Sequence, residues 1–263
     1  IGTVVSPRTS LMLRKGKHNF RISFNRAFRV PSIVQNYLDL TIFNPVAVGV
    51  AFETEASGKR DLSEERLDAV EVGWVGDFGR TLTAAFSIYR NETSDLIDLF
   101  PATHYLDGPF AGLPRTITYR NVGKLIDKGI EVSARSRRGP GFSWFLNYSF
   151  QDRPEVEGIP LSEVNLPPRH RANVGFSYDK GRLFLSGNAN YQDDAVWTDV
   201  LDSRFHGPTN SFVQVNASVG LRFRNERTTL TLTGNNVFDD DIQQHVFGDI
   251  ISRKIAANVR FAF

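Results

Sequence analysis

Residues 253–263 read RKIAANVRFAF, with Ile255, Ala257, Val259, Phe261 and Phe263 at every second position. The positions between them include Lys254, Asn258 and Arg260. Period-two alternation makes this a strand with one apolar and one polar face. The fold turns on what the apolar face touches: a protein core, or lipid outside one.

The same alternation recurs along most of the chain. FVQVNASVGLRF sets Val213, Val215, Ala217, Val219, Leu221 and Phe223 against Gln214, Asn216, Ser218 and Arg222. FSWFLNYSF sets Phe142, Trp144, Leu146, Tyr148 and Phe150 against Ser143, Asn147 and Ser149. HNFRISFN, TLTAAFSIY, GIEVSARS, RLFLSGNANY and TTLTLTGN follow suit, whereas helical spacing is confined to a turn in SIVQNYLDL. The segment ITYRNVGKLIDKGIEVSARS reads as one very long strand.

Connections divide into two kinds that alternate. RKGK, GDFG, RRGPG, DKG and RNE are tight hairpin turns. Residues 30–63, 100–115, 154–168, 193–210 and 239–250 are rich in Pro, Gly and Asp and read as long loops. In an antiparallel meander, such alternation places every tight turn at one rim and every long loop at the other. The count is about eleven strands, several well beyond the usual five or six residues. Long strands, tight turns at one rim and large loops opposite describe a transmembrane antiparallel β-barrel.

The totals agree with an all-β reading. The chain has 263 residues, 21 Phe, 21 Gly, one Met and no Cys. The aromatic and glycine content favours strands, and the missing cysteine excludes disulfides and thiolate metal sites. Lys and Arg number 31 against 29 Asp and Glu, a balance that gives nucleic acid nothing to bind. Mean hydropathy is −0.26, and no run of roughly eighteen apolar residues offers a membrane helix. Residues 1–13 hold no secretory leader, so an export signal is expected upstream and the chain is expected to be part of something longer.

Alternation alone fits a soluble β-sandwich, with the apolar face inward, as well as a barrel, with that face toward lipid. Aromatic placement favours the barrel: Trp74, Trp144, Phe223 and Phe263 all fall on apolar faces beside the tight turns, where an interfacial girdle belongs. An odd strand count conflicts with the even number of single-chain barrels, and suggests the back half of a barrel divided at a long loop.

FNRAFRVPS (24–32), LSEERLDAVEVGW (62–74), FSIYRNETSDLI (86–97), YRNVGKLIDKGIEVS (119–133), LPPRHRANVGFSY (166–178) and the stretch 230–263 beginning LTLTGNNVFDDD resemble, in order, TonB-dependent outer-membrane receptors. The resemblance implies a 22-stranded barrel with a plug in its lumen, of which residues 1–263 are the C-terminal part. The plug and the first half of the barrel lie outside this sequence. It also implies import of a scarce nutrient, such as a ferric siderophore, in the bacterial outer membrane, with long loops extracellular and the tight turns and C-terminus periplasmic. The implied partners are the TonB complex acting through the plug region, outer-membrane lipid, the barrel-assembly machinery and a small-molecule or metal-chelate substrate. A monomer is expected. Alternatives are a passive porin-type channel and a structural or adhesive all-β module.

Candidate residues follow from the two faces. Arg26, Phe28 and Arg29, in FNRAFRVPS, are the ligand or plug-contact candidates, since a guanidinium fork matches a carboxylate. Arg21, Glu71, Glu131, Arg135, Arg222 and Arg260 are expected to face the lumen, where charge costs little. Phe261 and Phe263 are the expected assembly signal, by resemblance to other outer-membrane barrels. His104, His170, His206 and His245 lie in or beside long loops without HxH, HxxH or HExxH spacing, so no metal or haem site is expected. Asp239, Asp240 and Asp241 lack EF-hand spacing. GxSxG and GxxxxGK[ST] are absent, and His170 and Ser177 are separated along one strand, so neither an enzyme nor a cofactor is expected.

Overall fold

The computed structural model describes residues 3–136, 141–198, 206–223 and 227–262. Strands β1 (Arg8–Lys15), β2 (His18–Arg29), β3 (Asp39–Ala47), β4 (Val50–Ser57), β5 (Glu65–Phe78) and β6 (Leu82–His104) open the chain. Strands β7 (Pro114–Ser136), β8 (Gly141–Gln151), β9 (Glu155–Glu157), β10 (His170–Lys180) and β11 (Leu183–Gln192) follow. Strands β12 (Ala195–Trp197), β13 (Gly207–Thr209), β14 (Phe212–Phe223), β15 (Thr228–Asn235) and β16 (Lys254–Phe261) end it.

The main sheet has 14 strands, and its continuous path runs β1-β2-β5-β6-β7-β8-β10-β11-β14-β15-β16. Every pair along this path is antiparallel. The tight turns work through glycine: Gly16, Gly79 and Gly181 sit at φ of 60°, 61° and 62°, which only glycine adopts without penalty. RNE lies outside the described residues, as does RRGPG apart from Gly141. The long-strand reading holds, since β6 and β7 each run 23 residues.

The long connections are richer than expected. Residues 30–63 contain a helix, α1 (Ile33–Tyr37), closed by a Ser32–Gln35 capping box, and then the β3–β4 hairpin. Pro45 stands in β3, whose one partner in the sheet is β4, so its missing N–H costs no ladder bond on the outer side. The loop expected at residues 100–115 is shorter, because β6 continues to His104 and β7 starts at Pro114, with register shifts absorbing Pro101. Residues 154–168 hold β9, and residues 193–210 hold the β12–β13 pair. Proline and glycine mark edges and bulges in these segments, which is why composition alone reads them as coil.

The β6–β7 ribbon is bent at one place. Asp95 and Gly123 face each other, both at φ of 58°, while the ladder continues through Ser94 with Lys124 and Leu96 with Val122. The Asn121 amide holds the bend by donating to the Asp95 carbonyl at 2.8 Å and the Ser63 carbonyl at 2.9 Å. A Cβ on Gly123 would lie 1.8 Å from the Glu157 carbonyl oxygen. Gly123→Ala is therefore expected to add overpacking of about 1–3 kcal/mol to the left-handed backbone cost of about 1–3 kcal/mol. Gly79→Ala, which meets open space, should show the second alone. Thermal unfolding of the two variants and proteolysis near β9 test this, and equal losses would remove the close approach as a cause.

Buried apolar side chains are few: Ala56, Leu62, Ile97, Ala195, Phe212 and Ile242. Ile97 lies in the outer part of β6, and the others lie in the long connections or at the strand ends next to them. Along the sheet itself Ile22, Val72, Ile88 and Leu232 remain about half exposed. Among the described residues no second sheet covers this apolar face, which is the opposite of a sandwich.

Candidate functional site

Register fixes the two faces, because directly opposed residues share a side. Phe20, Trp74, Phe86, Val132 and Tyr148 lie abreast across β2, β5, β6, β7 and β8. Leu185, Val219, Leu232 and Ala257 continue the apolar face across β11, β14, β15 and β16. On the other face Ser133, Asn147, Asn173, Asn190 and Gln214 form a row from β7 to β14. The polar face lines two troughs of about 930 and 1080 Å³.

Arg21, Glu71, Glu131, Arg135, Arg222 and Arg260 all fall on this polar face. Arg21 and Glu131 share one row through Gly73 and Ser87, and Glu71 stands beside it opposite Ser23. Arg222 and Arg260 both pair with Thr229. Arg21 is ion-paired with Glu71, and Arg222 forks onto Asp179 at 2.7 and 2.8 Å while lying over the Phe184 ring.

The FNRAFRVPS candidates separate. Arg29 is on the polar face, where its guanidinium grips Glu65 with both Nε and Nη2. Glu65 is nearly buried and also accepts the Ile97 N–H at 2.7 Å, so three strands meet at its carboxylate. Arg26 and Phe28 fall on the opposite face, in step with Phe20, Ile22 and Phe24. Alternation alone requires this, and the three residues do not form one constellation.

Arg26 belongs to a belt of partly exposed ion pairs above the apolar rows. It donates to both Asp68 oxygens at 2.6 and 2.9 Å. Arg90 and Lys124 pair with Glu92 at 2.9 and 2.7 Å, and Lys128 pairs with Glu155. Such pairs contribute little stability individually, but they mark where the apolar band stops. At the tight-turn end the band meets rings: His18 stacks on Trp74, Phe78 packs edge-on to both, and Phe142 stacks on Phe176. Trp144, Phe223 and Phe261 are on the same face, exposed, and Phe263 lies outside the described residues.

The histidines do not converge. His170 Nδ1 hydrogen-bonds the Tyr148 hydroxyl at 2.8 Å, and His245 packs on Trp197. Asp239 accepts the Arg253 N–H, and Asp240 accepts the Val213 N–H. Among the described residues no group of three His, Cys, Asp or Glu could hold a metal ion.

Two aromatic clusters at the long-connection end were not foreseen. Phe52 packs against Tyr105 and Phe110, and His245 bridges Trp197 and Phe247. Their members are far apart in sequence, and no local spacing reveals them. Glu65 and Asp68 were likewise missed, although opposite-charge residues on neighbouring strands are readable once register is assigned.

A long antiparallel sheet with its apolar side uncovered and its polar side hollowed is the form of a membrane barrel wall. The model of the TonB dependent receptor-like β-barrel matches residues 2–237. The chain belongs to that family, which is one of receptors rather than enzymes. Solved structures with the same fold include the siderophore receptor PirA from Acinetobacter baumannii, at 17% identity and a TM-score of 0.73, covering 98% of this chain and 41% of that one. A ferric enterobactin receptor, PfeA, from Pseudomonas aeruginosa gives 16% identity, a TM-score of 0.69 and coverages of 97% and 39%. The FrpB iron transporter from Neisseria meningitidis gives 15% identity, a TM-score of 0.69 and coverages of 97% and 38%. The chain thus spans about two fifths of the length of these structures. No curated protein matches it.

Proposed function

We propose that residues 1–263 are the C-terminal part of an outer-membrane receptor that imports a scarce nutrient with energy supplied through TonB. The observation that carries this is the inverted sheet: rings and aliphatic side chains outside, charges and amides inside. Among the described residues β1 and β16 each have one neighbour, leaving an edge of unpaired N–H and C=O groups on each. Lipid tolerates a sheet only as a closed barrel, so further strands close this wall, in a 22-stranded barrel whose lumen holds a plug. TonB acts through that plug region.

The long connections lie outside the cell, and the tight turns lie in the periplasm. The protein works as a monomer set in outer-membrane lipid, and Phe261 with Phe263 present the terminal strand to the barrel-assembly machinery. Arg29, Arg21, Glu71, Glu131, Arg135, Arg222 and Arg260 face solvent or plug. A ferric siderophore is the favoured substrate class, because the fold relatives include a siderophore receptor and a ferric enterobactin receptor. A cell carrying the full-length gene as its one receptor should take up a radio-iron-labelled ferric siderophore only when TonB is intact. Uptake unchanged by loss of TonB would instead identify a passive porin.

A further inference from the structure

The polar face is not uniform. On β2, β5, β6 and β7 it carries Arg21, Glu71, Asp77, Asp127, Glu131 and Arg135. On β8, β10, β11, β14 and β15 the same face is neutral over the whole span between Arg171 and the Asp179–Arg222 pair. One row there is Asn147, Asn173, Asn190 and Gln214, and another is Ser143, Ser177, Ser186, Ser218 and Thr233. Between them Asn188 and Asn216 stand opposite each other, and the Phe145 ring fills the space beside Gly175 that a Cβ would take. The larger trough runs along this neutral wall and reaches Asp77 and Arg135 of the charged one at its side.

The side chains on the neutral wall hold one another weakly. The Ser143 and Ser177 hydroxyls are 2.6 Å apart, but Asn216 reaches Asn188 at 3.4 Å and Ser218 reaches Thr233 at 3.3 Å. The Asn173 Oδ1, out of contact with bulk solvent, has no hydrogen-bond partner among the described residues. The charged wall is built differently, with Arg21 tied to Glu71 and the Thr83 hydroxyl donating to Asp77 at 2.7 Å.

We infer that the two walls have different tasks: the charged wall of β2 to β7 anchors the plug, and the neutral wall of β8 to β15 is the lane that opens for the solute. This rests on the transport reading above. Complementary charges fix register and resist sliding. Transit asks for the contrary: many weak sites that a hydrated solute can exchange among without being trapped. Amides and hydroxyls donate and accept alike, so a polar chelate meets replaceable partners at every step. Fixed charges would hold or repel it.

The chain has no cysteine, so single cysteines can report on each wall in the full-length receptor. Ser186→Cys, Ser218→Cys and Asn190→Cys probe the neutral wall, and Ser87→Cys and Ser133→Cys probe the charged one. Ser133 and Asn190 share a cross-strand row, which matches their surroundings. Cells are treated with a membrane-impermeant biotin maleimide, with and without active TonB, after heat-modifiable migration confirms that each variant has folded. The serine-to-cysteine changes are nearly isosteric and keep the comparison available should Asn190→Cys misfold. Active TonB should raise neutral-wall labelling roughly tenfold, as the closed lane shifts to an open population, while charged-wall labelling stays nearly constant. TonB-dependent labelling shared equally by both walls, or stronger on the charged wall, overturns the lane alone. Labelling indifferent to TonB on both walls overturns the lane and the transport reading together.

Discussion

Leu232→Arg is expected to abolish or sharply reduce the assembled barrel, at a cost of about 2–4 kcal/mol for arginine near the bilayer midplane. Leu232 is central in β15 and stands abreast of Val219 and Ala257 on the uncovered apolar face. It has no second layer to retreat under, and about half of it is exposed. Depth decides the size of the penalty, which falls to about 0–1 kcal/mol toward the interfaces. Val259, abreast of Leu230 and Leu221 and nearer the tight-turn rim, should therefore tolerate arginine better than Leu232 does. Asn258, opposite Thr231 on the polar face, should accept arginine with almost no loss. Folding yield of the full-length protein into liposomes, with urea titration, gives the ranking. Equal yields for Leu232→Arg and Asn258→Arg would place water, not lipid, on the apolar side.

Faces were legible in the sequence because the strand period is two and the chain obeys it for nearly its whole length. The same rule, followed strictly, puts Arg26 and Phe28 on the face of Phe20. Grouping them with Arg29 came from their closeness in the motif and ignored the alternation. Register was not legible, and with it were hidden the Arg29–Glu65 and Arg26–Asp68 pairs. The β3–β4 hairpin escaped because Pro45 and Gly49 look like coil, while its support comes from outside. It pairs with β7 in parallel, and its Thr54 hydroxyl donates to the Pro114 carbonyl. Contacts of that range leave no periodic trace. The bend at Asp95 and Gly123 is similar: a lone Asp and a lone Gly are ordinary, and only their opposition across a ladder makes a kink.

Asn236→Ala is expected to cost about 4 kcal/mol or more, from three orphaned polar groups at about 1–3 kcal/mol each and a left-handed backbone at about 1–2 kcal/mol. Asn236, in GNNVFDD, is fully buried and sits at φ of 49°. Its amide nitrogen donates to the Asp240 and Ile251 carbonyls, both at 2.8 Å, and its Oδ1 accepts the Asp240 N–H at 3.2 Å. Its own N–H donates to the Asn216 Oδ1 at 3.0 Å. One side chain thus satisfies backbone groups at both ends of the connection from β15 to β16, and it holds the Ile242–Ile251 bridge beside it. Alanine removes three of these bonds and keeps the unfavourable φ. Asn236→Gly removes the same bonds but accepts the φ, so it should be milder by about 1–2 kcal/mol. Urea titration of the full-length protein in detergent, with proteolysis of residues 239–250, separates the two contributions. A loss below about 1 kcal/mol for alanine would mean that water enters and takes over the bonds. The connection would then be a loop that merely passes over β15, rather than one pinned to it before β16 adds to the sheet.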